Sequence, residues 1–248
     1  MSGSPMLSVF DRVYDSAWHH PVMCWVGAVF VVAWLLKQRA GGGRPAAGDF
    51  LWWFALLWQA EIALDALWTG AWPPLPSDSS VTGVLAVVFV AVGDMRYFQL
   101  VEHFAPRSGQ PGRVGRALLL ATAWSWLIPA LSGLVRVALP GLFVEKRVVF
   151  LVYEVLFLLL MGGFARWLLP MRLPGVTAQQ VQLRRWLQRV TALVAVQYAL
   201  WALADVIILS GARSGLLLRL VPNFIYYVAF VPLAYLWAPR VPGPSEAA

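Results

Sequence analysis

Cysteine, lysine and charge are all scarce in these 248 residues. The single cysteine, Cys24, excludes an intramolecular disulfide and a thiol-based metal site. Only two lysines occur, Lys37 and Lys146, and both fall between apolar runs. A retinal Schiff base needs a lysine inside the last helix, so a rhodopsin-type chromophore is excluded. Three histidines, His19, His20 and His103, are too few and too far apart to form a three-ligand metal site, and no haem ligand set, nucleotide loop, nucleophile elbow or zinc-protease motif is present. Charged residues make up only 12% of the chain. Its net charge of +7 is scattered over short inter-helix segments and not gathered into a patch, which argues against a nucleic-acid partner.

What is abundant is apolar surface. The chain is 60% hydrophobic, with a mean hydropathy of +0.69, outside the usual range of soluble domains. Seven apolar runs stand out, at 20–36, 50–72, 81–105, 117–139, 148–169, 190–209 and 220–237. Each is close to the roughly 20 residues that carry an α-helix across a hydrocarbon core. The fold class expected is therefore an all-α integral membrane protein of seven transmembrane helices, forming one membrane domain over 1–248 with no soluble domain beside it. Breakers stand where each helix should stop: Gly41 to Gly43, Pro73 to Pro76, Pro106, Gly109, Pro111-Gly112, Pro140-Gly141, Pro170, Pro174-Gly175 and Gly211. Met1 to Pro5 lacks the basic start of a signal peptide, so Met1 is expected in the mature protein.

Orientation follows from basic loops, which are retained in the cytoplasm. One side carries twelve Lys and Arg: Lys37, Arg39, Arg44, Arg107, Arg113, Arg116, Arg166, Arg172, Arg184, Arg185, Arg189 and Arg240. The other carries six, Arg12, Arg136, Lys146, Arg147, Arg213 and Arg219. The imbalance predicts an external N-terminus and a cytoplasmic C-terminus in a cytoplasmic-type membrane, inner or plasma. Trp18, Trp52, Trp53, Trp72, Trp167, Trp186 and Trp237 lie near span ends and read as interfacial anchors, leaving Trp58, Trp68 and Trp201 as candidates for a cavity wall.

A shift of 133 residues aligns the chain with itself. It superposes Trp34-Leu35-Leu36 and Arg39 on Trp167-Leu168-Leu169 and Arg172, Ala66-Leu67-Trp68 on Ala199-Leu200-Trp201, and Ala105-Pro106-Arg107 on Ala238-Pro239-Arg240. Residues 20–107 and 153–240 then form parallel halves, helices 1 to 3 and 5 to 7, with helix 4 as the inverting linker. This three-plus-one-plus-three plan resembles that of the SWEET and PQ-loop solute carriers and, more remotely, the seven-helix rhodopsins. The resemblance is architectural: there is no Pro-Gln dipeptide at a helix head, and helices 1, 2, 5 and 6 lack interior prolines. It implies a substrate site between the halves, near the midplane.

Ionisable residues within the spans mark where such a site would be, because a charge at the bilayer centre costs about 2.5 to 3.5 kcal/mol even on the mildest scale. Glu61 and Asp65 share a face of helix 2, Asp94 and Arg96 lie near the centre of helix 3, and Glu154, Asp205 and Asn223 fall in the outer parts of helices 5, 6 and 7. The 133-residue shift places Asp65, Asp94 and Glu102 over Tyr198, Tyr227 and Tyr235, so phenols are expected to meet carboxylates at a shared axis. Arg96 is expected to pair with Glu61. An outward cavity is expected to be lined by Asp65, Asp205, Glu154 and Asn223, with Asp94 at its base.

The leading functional reading is a small-solute or proton-coupled transporter using Glu61, Asp65, Asp94, Arg96, Tyr198, Asp205, Asn223 and Tyr227, without a cofactor. A seven-helix sensor whose Arg-rich loops meet a cytoplasmic protein is the second. A lipid-directed enzyme and a structural subunit of a membrane complex follow, and an oligomer is compatible with any of them.

Overall fold

The computed structural model describes residues 9–40, 48–76, 79–105 and 114–239. Among these residues there is no strand. Seven helices are long and apolar enough to cross a membrane: α1 (Val9–Ala40), α2 (Asp49–Thr69), α3 (Ser80–Phe104), α4 (Val114–Ala138), α5 (Arg147–Arg172), α6 (Ala178–Leu209) and α7 (Gly215–Trp237). The side chains are distributed inside out relative to a soluble protein. Val29, Phe30, Leu119 and Leu159 are about 70% exposed, whereas Asp94, Arg96 and Asp205 are at 4%, 2% and 0%. Only a hydrocarbon solvent makes that arrangement favourable. The chain thus has the build of a polytopic membrane protein.

Helix ends reach beyond the apolar runs. α6 begins at Ala178 and not at 190, because Thr177 caps it by accepting from the Gln180 amide at 3.2 Å, and its Gln, Leu and Arg residues favour helix although they are not apolar. α1 extends back to Val9 but is interrupted at His20 (φ −155°, ψ 114°), just before Pro21. The interruption frees the His20 carbonyl, which accepts from the Ala71 amide at 3.2 Å and ties α1 to the end of α2. Pro170 was expected to end a helix and does not. A π-turn over Phe164–Leu168 restarts the coil at Leu169, so Pro170 occupies a first-turn position where no N–H is needed. Gly175 and Gly211, at φ +87° and +91°, turn the chain out of α5 and α6 as their expected role as breakers requires. Gly41 to Gly43, Arg44, Pro106, Arg107, Gly109, Pro111 to Arg113 and Arg240 lie outside the described residues.

Consecutive helices pack side by side, and α1 and α2 also meet α7 while α3 meets α6. The end of the bundle where α2 begins and α3 finishes is packed solid: Phe54, Trp58, Phe98, Phe164, Trp186 and Leu187 are all buried in one cluster. Trp186 and Trp52, expected as interfacial anchors, are at 2% and 7%. The Trp186 indole donates to the Ala234 carbonyl at 3.0 Å, a buried acceptor that draws the ring inward. Trp18, Trp53, Trp72 and Trp167 are exposed.

Gly93 of α3 faces the phenol of Tyr226 of α7, with no room for a Cβ. Gly93→Ala should therefore force these helices apart and destabilise the protein by roughly 1–3 kcal/mol. Adding Tyr226→Phe should recover part of the loss, since the hydroxyl is the nearest obstacle. Thermal melts of the single and double variants in detergent check this.

Candidate functional site

α3 carries an acid and a base two residues apart, and the helical repeat sends them in different directions. Asp94 accepts hydrogen bonds from Tyr198 of α6, at 2.5 Å, and from Tyr153 of α5. Both oxygens of the carboxylate are thus met by phenols in a buried setting. Arg96 turns toward α7, its guanidinium 3.9 Å above the Tyr226 ring and 5.3 Å from the Phe230 ring. The expected Arg96–Glu61 ion pair is not formed. Arg96 Nη1 and Nη2 and Glu61 Oε1 are each buried without a hydrogen-bond partner among the described residues. The reason lies in α7, where a π-turn at Ile225–Ala229 inserts Tyr226 over the guanidinium. The cavity among Asp94, Arg96, Tyr198 and Tyr226 measures only about 10 Å³, room for one water at most.

Asp65, on α2, accepts from Thr69 Oγ1 at 2.7 Å, and Tyr227 lies close to it. The Tyr227 ring in turn lies 5.1 Å from that of His20. These contacts are related to those of Asp94 by the shift of 133. Asp94, Tyr198 and Tyr153 map onto Tyr227, Asp65 and His20, and Gly93 maps onto the Tyr226 it touches. One cluster has an acid at its centre and tyrosines around it; the other has a tyrosine at its centre, with an acid and a histidine. The expected pairs, Asp65 with Tyr198 and Asp94 with Tyr227, do not form. Each acid instead meets a phenol that the shift does not align with it.

Above Tyr227, at the end of the bundle where α2 finishes and α3 begins, opens a cavity of about 390 Å³. Its walls include Tyr14, Asp15, His19, His20, Thr69 and Asn223. Of the residues expected around an outward cavity only Asn223 lines this one, joined by the site residue Tyr227; Asp65 lies behind this wall, and Asp94, Asp205 and Glu154 are elsewhere. Asp205 and Glu154 are bound to arginines that sequence reading had left in loops. Asp205 accepts from Arg147 at 2.9 Å and from Arg219, and Glu154 lies 3.6 Å from Arg219. Long arginine side chains at helix ends reach inward to carboxylates one or two turns below, which is why a count of loop charges misses the pairing.

A fourth polar group closes the opposite end. Glu102 of α3 accepts from Arg172 of α5 at 2.9 Å and from the Trp124 indole of α4 at 2.8 Å, and Arg172 also donates to the Ala105 carbonyl at 3.1 Å. Sequence reasoning missed Tyr153 and Tyr226, and also the cavity residues Tyr14, Asp15, His19, His20 and Thr69. The signal for Tyr153 was its alignment with His20, and for Tyr226 its place beside Tyr227. Among the described residues, no three His, Cys, Asp or Glu side chains gather in a metal-binding group. Comparisons of the chain with protein families, with curated proteins and with solved structures find no match.

Proposed function

We propose that this chain is a proton-coupled carrier of a small solute, built from two three-helix halves whose axis passes between α3 and α7. The observation that carries this reading is the interchange of the Asp94–Tyr198–Tyr153 and Tyr227–Asp65–His20 clusters under the 133-residue shift. It sets ionisable groups at the seam between the halves, where a carrier of parallel repeats holds its cargo. With the N-terminus outside, the cavity of about 390 Å³ faces outward while the aromatic cluster around Trp186 blocks the cytoplasmic half. That is one of the two states an alternating-access cycle requires.

The sizes of the two cavities divide the labour. About 10 Å³ beside Asp94 admits a proton and excludes a solute, so the solute is held in the larger cavity and the proton at Asp94. Ionised Asp94 can only accept, and both phenols donate to it; when it takes a proton, one phenol rotates to become the acceptor. No heavy atom has to move. Purified protein in liposomes with an imposed pH gradient tests the reading: solute addition should start proton influx. A membrane that stays proton-tight with every solute tried, while ligands still bind, would favour a sensor. That second reading rests on the small size of the cavity beside Asp94, about 10 Å³.

A further inference from the structure

We infer that the larger cavity binds a small organic ammonium ion. The inference deepens the carrier reading by naming its solute class, but binding itself requires no transport.

The sign of the cavity follows from its hydrogen bonds. The Trp201 indole donates to Asn223 Oδ1 at 2.7 Å, so Asn223 must present Nδ2 to the other side, where it meets His19 Nε2 at 2.8 Å. An amide nitrogen only donates, and His19 Nε2 must therefore accept. The other ring nitrogen, Nδ1, lies 2.7 Å from the Tyr14 carbonyl, which can only accept, so Nδ1 carries the hydrogen. A chain of three hydrogen bonds thus fixes His19 as the neutral imidazole with Nδ1 protonated. It contributes no positive charge to the wall.

Among the described residues, no lysine or arginine lines the cavity, and Asp15 in its wall carries an acidic side chain. Behind the wall, Thr69 and Tyr227 stand between the cavity and the buried carboxylate of Asp65. Arg219, which bonds the Tyr14 hydroxyl at 3.2 Å, is committed elsewhere: it joins Arg147, Glu154 and Asp205 in a group of two bases and two acids. The local balance therefore favours a cation. Tyr14 and Tyr227 are among the lining residues, and aromatic rings attract cations. At about 390 Å³ the cavity is in the lower part of the range of small-molecule pockets, roughly 300–1,000 Å³, and far too roomy to cage a bare metal ion.

The related cluster strengthens the assignment. At Asp94 every position around the central group is filled by a protein phenol, and the cavity closes to about 10 Å³. At Tyr227 the same three places hold an acid, a tyrosine and a histidine, and the space beside them is open. One copy completes its hydrogen bonds internally; the other leaves a place for a ligand.

Isothermal titration of the purified full-length chain in detergent provides the test, with ethylammonium and tetramethylammonium as probes, tert-butanol as the neutral match and acetate as the anion. Both ammonium ions should bind, and the alcohol and acetate should not. Asp15→Asn should weaken binding about fivefold with an unchanged melting temperature, since Asp15 is exposed. Asp49→Asn, at the far end of the bundle, should leave it unaltered. Equal binding of tert-butanol or acetate, full affinity in a folded Asp15→Asn protein, or no heat from either ammonium ion at millimolar concentration overturns the inference. Ammonium binding without solute-linked proton influx would keep this site and remove the carrier.

Discussion

Arg172→Met should destabilise the bundle by about 3–5 kcal/mol, because it strips the cationic partner from a carboxylate that water cannot reach. The side chains of Arg172 and Glu102 are 6% and 1% exposed. Without the guanidinium, Glu102 keeps, among the described residues, only the Trp124 indole as a donor. A second substitution makes the cause visible. Glu102→Gln in the Arg172→Met background removes the orphaned charge and still offers an oxygen to Trp124, so most of the lost stability should return. Chemical or thermal unfolding in detergent measures both steps. If the double variant is no more stable than Arg172→Met alone, the loss comes from packing of the arginine stem and the electrostatic account is wrong.

Asp94→Asn should abolish pH-driven uptake in liposomes while leaving the protein folded. The amide keeps the shape of the carboxylate and can still engage both phenols, accepting from one and donating to the other. It cannot take up a proton. Stability should be unchanged or slightly higher, as one buried charge is gone. Full flux through a well-folded Asp94→Asn protein would sink the assignment of Asp94 as the proton site. Flux and melting temperature should be read on the same preparation, so that misfolding is not mistaken for loss of coupling.

The seven spans were legible because apolar length alone reports a membrane crossing, and lipid tolerates little else. Their ends were less so: Arg184, Arg185 and Arg189 interrupt hydropathy without interrupting α6, since helix formation depends on backbone preference and capping and not on apolarity. The acids of the interior were legible by their cost. Their partners were not, for depth along a helix says nothing about direction around it. Arg96 and Glu61 matched in depth, yet a π-turn in a distant segment decided that Arg96 would face an aromatic ring. The 133-residue shift pointed to acids and phenols meeting. It named the wrong couples, since alignment identifies equivalent positions and says nothing of which side chains meet: Asp94 meets Tyr198, and Asp65 lies beside Tyr227.

The π-turn of α7 behaves like a dislocation in a crystal lattice. It stores one surplus residue, and everything after it is out of phase with everything before. Adjacent side chains within it, Tyr226 and Tyr227, serve two different clusters. Removing Val228 would heal the defect and rotate the segment Phe230–Leu236 by about 100°. Phe230, Val231 and Ala234, now buried, would then be swung out of the core, and the Ala234 carbonyl would be carried away from the Trp186 indole. A one-residue deletion here should therefore damage the protein more than truncating any one of these side chains to alanine, because it misplaces a whole helix face at once.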